Sequence, residues 1–575
     1  MPIDFRNTNS LWASVAVETL AHLGLKTTVV CPGSRSTPLT VAFANHPTIE
    51  ALPILDERSA AFFALGCAKK QQLPVALVCT SGTAGANFYP AIIEAYESSI
   101  PLLIFTADRP PEMRECASGQ TIDQQKLYGS FTKHYSELAL PVANIQMLRY
   151  LRQTLVNAWR QSLSPSPGPI HFNCSFQDPL PPVKDSSTQQ LQQEWNTQHF
   201  FSFVETTVSE ERAQSLPISA WRQSQRGLII AGPASPKAPE EYCALVSNLS
   251  AQLGWPVLAE GLSPLRNYQS QKCSLITAYD VILRDPKRAT DLIPDRVLQL
   301  GPLPISKVLR QWLQCHQPQR WIVGNQRNLD PLHGPTQGLS ISLSSLTDLL
   351  KAEPTTEKDS DYTQQWQTYE RSIREVLDSQ LAAENHLVES KVVWLLSQHL
   401  PTNTPLFIAN SMPVRDVEYF WPAGDRNIQP FFSRGANGID GTLSTAMGIA
   451  HHNQPTVLLT GDLAFLHDTN GLLNASKLAG HLTVVLINNN GGGIFEMLPI
   501  SQFEAVFEDY FITPQTVDIF KLCAAYGIEH KTITEIADFV ESIQQLPKSG
   551  MRVLEIKCDR NQSVTQRKAL LNITL

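Results

Sequence analysis

Two short apolar runs in the last third of the chain decide the fold: residues 456–460 read TVLLT, and residues 483–487 read TVVLI. The first run is followed at once by Gly461-Asp462-Leu463, and the second is followed by NNNGGG at 488–493. Short β-branched runs that end in polar residues and glycine are typical of parallel strands in an α/β sheet. Ligands bind beyond the carboxyl ends of such strands, so the residues after each run are the candidates for chemistry.

The same alternation of strand-like and helix-like segments extends through the whole chain. Further β-branched runs lie at residues 27–31, 75–80, 102–106, 227–231, 296–300, 320–323, 405–409 and 552–556. Two polar stretches, 179–198 and 352–365, resemble linkers. A chain of 575 residues is too long for one hydrophobic core. We therefore predict an α/β fold of three doubly wound, mainly parallel-sheet domains, at residues 1–185, 200–352 and 366–575.

Composition and charge exclude several classes of protein. A net charge of −8 argues against a nucleic-acid binder, which usually carries a basic face. The ten cysteines form no CxxC pair, a pattern typical of reduced thiols in a cytoplasmic protein. The N-terminus lacks the layout of a signal peptide, and no apolar run approaches the roughly 18–20 residues of a membrane span. We expect a cytoplasmic protein with no membrane span.

The residues after the two deciding runs could hold a metal ion. If the two strands are neighbours, the carboxylate of Asp462 and the amide oxygen of Asn489 meet at one crevice. Their separation of 27 positions suffices for one crossover. Magnesium takes six hard oxygens, so Asp462, Asn489 and the Gly491 carbonyl would leave three positions for a diphosphate and water. The alternative is two ordinary turns after two strands, and the spacing alone does not decide between them.

Two polar segments in the first third could also carry chemistry. Asp56-Glu57-Arg58 follows the apolar run 51–55 and opens a helix. Taken alone, this segment is better explained as an acidic first turn that complements the helix dipole. Residues 31–38 (CPGSRSTP) form a rigid loop after a strand. A structural turn explains the proline and glycine of that loop, but it does not require Arg35.

These segments together resemble a known superfamily. With TSGTAGAN at 80–87 and PLLIFTADRPPE at 101–112, they resemble the pyrimidine-binding domain of thiamine-diphosphate enzymes. Asp462 with Asn489 resembles that superfamily's metal and diphosphate motif, although Leu463 stands where most members have glycine. CPGSRSTPLT, RGANGIDG at 434–441 and NNNGGGIFEMLP narrow the resemblance to the 2-succinyl-5-enolpyruvyl-6-hydroxy-3-cyclohexene-1-carboxylate synthase family. The resemblance covers the first and last domains nearly end to end and is weaker in the middle.

The resemblance implies thiamine diphosphate and Mg²⁺ or Mn²⁺ as cofactors. Glu57 would hydrogen-bond the aminopyrimidine ring and take part in acid–base catalysis relayed through the cofactor. Ile439 would be the apolar wedge that bends the cofactor, although core packing would explain it equally. The metal ligands would be Asp462, Asn489 and Gly491. The implied cofactor-binding residues are Glu57, Ser411, Ile439, Gly461, Asp462, Asn489, Gly491, Ile494 and Phe495. The middle domain has no GxGxxG, so we predict no flavin.

The implied reaction joins two anionic substrates in menaquinone or phylloquinone biosynthesis. 2-Oxoglutarate would be decarboxylated and its succinyl-semialdehyde carbanion added to isochorismate, and arginines suit the binding of such carboxylates. The implied catalytic residues are Glu57, Arg35, Arg415 and Arg434. The implied substrate-binding residues are Ser34, Arg35, Arg109, Gln120, Lys307, Ser411, Arg415, Arg434, Ile494, Phe495 and Leu498. Val308 follows Lys307 where some members have arginine, and Arg310 is a candidate replacement.

Two other functions would explain part of the sequence pattern. Another thiamine-dependent 2-oxo acid decarboxylase or acetolactate-type synthase would share the cofactor, but a small apolar substrate pocket has no use for the arginine set. A non-catalytic binding protein has no chemical reason to retain Glu57, Asp462 and Asn489 together. In this superfamily the cofactor lies between two subunits, so the resemblance implies a homo-oligomer. Both a dimer and a tetramer are compatible with the sequence.

Overall fold

The computed structural model describes residues 3–202, 204, 216–268, 273–324, 328–351 and 360–573. Three six-stranded sheets follow one another along the chain, and every described pair of neighbouring strands is parallel. Helices alternate with the strands, so the predicted α/β class with three doubly wound parallel sheets is confirmed. Among the described helices, none combines the length and the apolarity needed to cross a bilayer.

The first sheet has the strand order β2-β1-β3-β4-β6-β5. Its strands are β1 Thr27–Val30, β2 Glu50–Pro53, β3 Val75–Cys79, β4 Leu102–Asp108, β5 His134–Leu138 and β6 Ile170–Ser175. The helices of this segment are α1 Thr8–His22, α2 Thr37–Ala44, α3 Glu57–Gln71, α4 Ala84–Asn87, α5 Tyr89–Glu97, α6 Ile145–Leu163, α7 Gln189–Glu194 and α8 Thr197–Phe201, with a 3₁₀ helix at Pro111–Met113. The strands β1, β3, β4 and β6 are buried along their whole length, as expected for a sheet covered on both faces.

The central sheet has the order β12-β11-β10-β7-β8-β9. Its strands are β7 Gly227–Ala231, β8 Val257–Ala259, β9 Leu275–Ile276, β10 Arg296–Leu300, β11 Gln319–Val323 and β12 Thr336–Leu339. Its helices are α9 Ile218–Gln223, α10 Pro239–Leu253, α11 Tyr279–Arg284, α12 Pro286–Asp291, α13 Lys307–His316 and α14 Leu343–Lys351, with a 3₁₀ helix at Pro264–Asn267. Read from its other edge, this is the strand order of a dinucleotide-binding sheet, yet no GxGxxG follows its first strand.

The third sheet, β14-β13-β15-β16-β18-β17, repeats the strand order of the first. Its strands are β13 Pro405–Ile408, β14 Gln429–Phe432, β15 Thr456–Gly461, β16 His481–Asn488, β17 Glu529–Ile533 and β18 Gly550–Lys557. Its α-helices are α15 Asp361–Ala383, α16 Glu389–His399, α17 Met412–Phe420, α18 Thr442–Ala450, α19 Asp462–His467, α20 Glu504–Phe507, α21 Ile519–Ala525, α22 Ile536–Gln544 and α23 Arg560–Leu571. 3₁₀ helices lie at Thr469–Lys477, Gly493–Met497 and Pro499–Gln502, and a π-helical turn lies at Glu508–Ile512.

The chain forms two compact units. The first unit contains residues 1–209, 433–451 and 467–477, and the second contains 210–432, 452–466 and 478–575. Helix α18 belongs to the first unit, where it crosses α3 so closely that a Cβ on Gly66 would lie 2.1 Å from the carbonyl oxygen of Thr445. Residues 434–441, which precede α18, are therefore part of the unit that holds the first sheet.

The polar stretches contain more helix than we predicted. Helices α7 and α8 begin within 179–198, and α15 begins at Asp361, inside the second stretch. Residues 352–359 of that stretch lie outside the described residues. Helix α15 also crosses residue 366, where we predicted the third domain to begin, and the exact domain limits stay a prediction.

Candidate active site

The predicted metal residues lie at the point where the strand order of the third sheet reverses. Strands β13 and β15 flank this point, where α/β sheets bind ligands. Strand β15 pairs with β16 from Thr456 to Gly461, so the neighbour relation expected from the two deciding runs is confirmed. Asp462 directly follows β15, and Asn489 directly follows β16. Their side chains therefore emerge at the same edge of the sheet.

Asp462 is a buried carboxylate fixed by two backbone groups. The Leu463 N–H donates to its Oδ1 and the Gly491 N–H to its Oδ2, each at 2.8 Å. Asp462 is only 5% exposed, and this burial raises the pKa of its carboxyl group to about 6. A buried carboxylate without a nearby cation is costly, and a divalent ion would stabilise its charged form.

Asn489 and Gly491 complete an oxygen donor set that suits magnesium. The Asn489 Nδ2 donates to Glu389 Oε1 at 2.7 Å, and no described residue donates a hydrogen bond to its Oδ1. Gly491 adopts φ +134°, and a Cβ there would lie 2.3 Å from the carbonyl oxygen of Ile512. Only glycine is compatible with both the angle and the space. One carboxylate, one carboxamide oxygen and one carbonyl are hard ligands, so these residues fit Mg²⁺ or Mn²⁺.

Ser411 and Arg415 follow β13 at the same edge of the third sheet. Ser411 has φ +71° and ψ −127°, a backbone conformation that costs a non-glycine residue on the order of 1–3 kcal/mol. Nη1 of Arg415 donates to the carbonyl oxygen of Ser411 at 2.5 Å across the first turn of α17. Burial lowers the pKa of Arg415. Backbone strain of this kind concentrates at binding sites, where the surrounding structure imposes it.

Three apolar candidates lie just beyond the glycine run. Ile494 and Phe495 belong to the 3₁₀ helix Gly493–Met497, Leu498 follows it, and all three are half-buried. The ring of Phe495 packs edge-to-face on Phe511, with centroids 5.5 Å apart. This arrangement forms an apolar surface next to the predicted metal residues.

The central sheet contributes Lys307, the first residue of α13, which is exposed. Val308 packs against the core of the central sheet instead of facing outward with Lys307. Arg310 donates to the carbonyl oxygens of Pro304 at 2.8 Å and Leu303 at 3.1 Å. Much of its guanidinium is therefore committed to its own loop, which weakens the case for Arg310 as a substitute arginine.

Glu57 is the first residue of α3, just after β2, the edge strand of the first sheet. The side chain of Asp56 caps α3 by accepting the Ser59 N–H at 2.9 Å, so Glu57 is not needed as a cap. Burial raises the pKa of Cys31 and of Cys79, and the charge of Glu57 raises both further, directly after burial for Cys31 and after the charge of Cys31 for Cys79. The Glu57 carboxylate therefore faces the carboxyl ends of β1 and β3, and it is half-exposed in this chain.

Arg35 and Arg109 lie close together at the carboxyl edge of the first sheet. Arg35 is 7% exposed, and its Nη1 donates to the Phe176 carbonyl oxygen at 2.8 Å. Burial, and then the charge of Arg109, lowers the pKa of Arg35. Its buried Nε has no hydrogen-bond partner among the described residues. A buried guanidinium with an unused donor, placed near a second arginine, fits an anionic ligand.

Ser81 connects this pair to the predicted polar helpers. Arg109 Nη1 donates to Ser81 Oγ, and Gln120 Nε2 donates to the Ser81 carbonyl oxygen at 3.0 Å. Ser34 is exposed on the loop just before Arg35. The structure thus brings Arg35, Arg109 and Gln120 together at the carboxyl edge of the first sheet.

The loop 434–441, with Arg434 and Ile439, is held by Glu94, which the sequence analysis missed. Glu94 is 4% exposed and accepts the Gly435 N–H at 3.1 Å and the Ala436 N–H at 2.6 Å. A cavity of about 140 Å³ beside this loop is lined by Phe62, Pro90, Ile93, Glu94, Ser433, Ala436, Gly438 and Asp440. The sequence did contain a signal for Glu94: a carboxylate on the same helix face as the apolar residues Ile92 and Ala95, which α5 buries.

Comparison with known proteins agrees with this geometry. Three family profiles of thiamine pyrophosphate (thiamine diphosphate) enzymes match the chain: the N-terminal binding domain over residues 12–127, the middle domain over 185–408 and the C-terminal binding domain over 417–556. Several relatives carry the name 2-succinyl-5-enolpyruvyl-6-hydroxy-3-cyclohexene-1-carboxylate synthase. One from Gloeothece citriformis is 54% identical over 97% of each chain. One from a Nostoc species is 54% identical over 99% of this chain and 98% of its own.

A third relative of that name, from Rippkaea orientalis, is 50% identical over 100% of this chain and 97% of its own. Full-length identity at this level confirms the resemblance that CPGSRSTPLT and RGANGIDG indicated. The protein is therefore an enzyme of the transferase type that depends on thiamine diphosphate and forms a carbon–carbon bond. The chain belongs to the 2-succinyl-5-enolpyruvyl-6-hydroxy-3-cyclohexene-1-carboxylate synthase family.

Proposed function

We propose that this enzyme decarboxylates 2-oxoglutarate and adds the resulting four-carbon unit to isochorismate. The products are 2-succinyl-5-enolpyruvyl-6-hydroxy-3-cyclohexene-1-carboxylate and carbon dioxide, on the route to menaquinone or phylloquinone. The observation that carries this proposal is the arginine pair of the first unit, in which buried Arg35 keeps an unused Nε donor beside Arg109. Such a pair suits multiply charged carboxylates and has no use with a small apolar 2-oxo acid.

Thiamine diphosphate and a divalent cation would be held by the residues that the family resemblance implies. The donor set of Asp462, Asn489 and Gly491 fits Mg²⁺ or Mn²⁺, and it would bind the diphosphate through the metal. The remaining cofactor residues would be Glu57, Ser411, Ile439, Gly461, Ile494 and Phe495. When bound, thiamine diphosphate supplies the nucleophilic carbon and the electron sink that decarboxylation requires.

The chain's own side chains then have separate tasks. Glu57 would share a proton with a ring nitrogen of the aminopyrimidine, a role that its place at the first sheet's edge supports. Arg35, Arg109, Arg415 and Arg434 would neutralise and orient the substrate carboxylates, with Ser34, Gln120, Ser411 and Lys307 as additional donors. Ile494, Phe495 and Leu498 would exclude water from the reacting carbon.

We further propose that the enzyme works in the cytoplasm as a homo-oligomer, a dimer or a tetramer. The superfamily architecture supports this, because its cofactor lies between two subunits. Sedimentation equilibrium of the purified protein distinguishes the two assemblies, and a purely monomeric active enzyme would contradict the proposal.

The test of the reaction is a mass-resolved assay with thiamine diphosphate, Mg²⁺ and 2-oxoglutarate, run with and without isochorismate. We expect an adduct that carries the four-carbon unit only when isochorismate is present. Turnover of 2-oxoglutarate to succinic semialdehyde in both reactions, with isochorismate unchanged, would move the protein to a different acceptor. Omitting Mg²⁺ and adding a chelator is the control, and it should abolish both products.

A further inference from the structure

A chain of buried charged groups lies behind the predicted metal ligands in the second unit. The Asn489 Nδ2 donates to Glu389 Oε1 at 2.7 Å, and Arg567 Nη2 donates to Glu389 Oε2 at 2.5 Å. Arg567 also donates to Asp416 at 2.7 and 2.8 Å. Glu389, Arg567 and Asp416 are 2%, 1% and 0% exposed, so water cannot replace these partners.

The contact with Glu389 decides which end of the Asn489 carboxamide faces outward. Oε2 of Glu389 accepts the hydrogen bond from Arg567, and Oε1 of the same carboxylate accepts the one from Asn489 Nδ2. The NH₂ group of Asn489 must therefore face Glu389, which turns Oδ1 away from it. A metal ion binds the oxygen and is repelled by the NH₂ group, so this orientation matters for binding. The two ends of a carboxamide are nearly identical in shape, and packing alone would not distinguish them.

The surroundings hold both partners in place. A Cβ on Gly493 would lie 2.6 Å from Asn489 Nδ2, so the amide is confined on its other side by the backbone of the glycine run. Glu389 is the first residue of α16, Arg567 lies on α23 and Asp416 lies on α17 next to Arg415. Three helices therefore fix the carboxylate that contacts Asn489.

We propose that Glu389 is a positioning residue for the divalent cation, acting by holding Asn489 so that its Oδ1 faces the metal. The inference rests on the proposed function only in taking Asn489 as a metal ligand. Partners of this kind, which orient the ligands without touching the metal, typically contribute 10–100-fold to metal affinity. In this role Glu389 acts through Asn489 and needs no contact with the cation, the cofactor or the substrates.

The substitution Glu389→Gln tests this orientation with little change in shape. Arg567 can only donate, so the glutamine must turn its Oε1 toward Arg567 and its NH₂ toward Asn489. Asn489 must then present its oxygen to the glutamine and its NH₂ to the cation. We expect Mn²⁺ affinity, measured from the EPR signal of the free ion in the presence of thiamine diphosphate, to fall about 10–100-fold. At saturating Mn²⁺ the turnover number should recover most of its wild-type value.

The matched control is Asp416→Asn, which removes the other carboxylate bound to Arg567 but leaves the contact between Glu389 and Asn489 intact. We expect its Mn²⁺ affinity to stay within about threefold of wild type. If Glu389→Gln does not fold, Glu389→Asp keeps the charge near Arg567 but is too short to reach Asn489, and it should also bind Mn²⁺ weakly. Wild-type affinity in the folded Glu389 variant, or an equal loss in both Glu389→Gln and Asp416→Asn, would overturn the inference. Failure of the proposed function is distinguishable, because wild type itself would then not bind Mn²⁺ with thiamine diphosphate.

Discussion

Replacing Glu94 by glutamine should displace the loop 434–441, because Glu94 holds the backbone of that loop. Glu94 is not one of the predicted substrate or cofactor ligands. The Glu94 carboxylate accepts two backbone N–H groups of the loop and also the Ser98 hydroxyl at 2.6 Å. Lys69 Nζ lies 3.8 Å from Glu94 Oε1, and the side chains of Lys69 and Glu94 are both at least nine-tenths buried. Burial lowers the pKa of Lys69, and the charge of Glu94 acts in the opposite direction.

The magnitude follows from these contacts. Removing one partner of a buried ion pair costs about 3–5 kcal/mol, because a charge is left in a poorly solvating environment. For a unit of this size we expect the apparent melting temperature to fall by roughly 6–20 °C. In addition, the glutamine NH₂ must face the N–H of either Gly435 or Ala436, so one of these hydrogen bonds becomes a contact between two donors. The loop should shift, and misplacing Arg434 by about 1 Å would lower kcat/KM on the order of 100-fold.

The double variant Glu94→Gln/Lys69→Met separates the two effects. It removes the buried ammonium that Glu94 neutralises, so thermal unfolding should recover much of the lost melting temperature. The two facing donors remain, so steady-state assays with both substrates should still show the loss in kcat/KM. Wild-type kcat/KM in the single variant, or recovery of activity together with stability in the double variant, would refute the role of Glu94 as the anchor of this loop.

Three further predictions concern single side chains. Glu57→Gln should leave thiamine diphosphate and Mg²⁺ binding nearly unchanged by calorimetry while lowering kcat by about 10²–10⁴-fold, because only proton transfer is lost; a variant with wild-type kcat would remove Glu57 from the mechanism. Asp462→Ala should abolish Mg²⁺-dependent retention of the cofactor during gel filtration, and a variant still saturable at ordinary cofactor concentrations would contradict the metal assignment. Burial lowers the pKa of His171 from 6.5 to about 3, so the folded protein resists a proton that the unfolded chain accepts below pH 6.5. Wild type should therefore lose about 2 kcal/mol of stability between pH 7 and pH 5 through this residue. Denaturant unfolding at both pH values should show that loss reduced in His171→Gln, and an unchanged loss would show that His171 does not titrate in this way.

The sequence missed β6 and β8, but it predicted most inner strands of the three sheets, because they are covered on both faces. Such strands are continuous apolar runs, and the runs at 456–460 and 483–487 fall within β15 and β16. Edge strands such as β12 (TQGL) and β17 (EHKTI) were not predicted, because one side of each meets solvent and their sequences are mainly polar. Hydrophobic periodicity gives no signal for strands of this kind.

The candidate site could be predicted where its residues directly follow strands. Asp462 and Gly491 come together as the spacing indicated, since neighbouring parallel strands end at one edge. The residues that hold the site were not found. Glu94 contacts a loop 341 residues away in the chain, and Glu389 contacts Asn489 across 100 residues. Contacts of this range depend on how helices pack: the sequence places Glu94 on an apolar helix face, but it does not identify the loop that Glu94 contacts.

The measurement that tests the account most directly is a crystal structure of the enzyme with thiamine diphosphate and Mn²⁺, with the metal located by anomalous scattering. We expect one manganese peak at about 2.1–2.2 Å from an Asp462 carboxylate oxygen, Asn489 Oδ1 and the Gly491 carbonyl oxygen, with diphosphate oxygens as further ligands. A peak bound elsewhere, or an Asn489 whose NH₂ group faces the metal, would contradict both the site and the role given to Glu389.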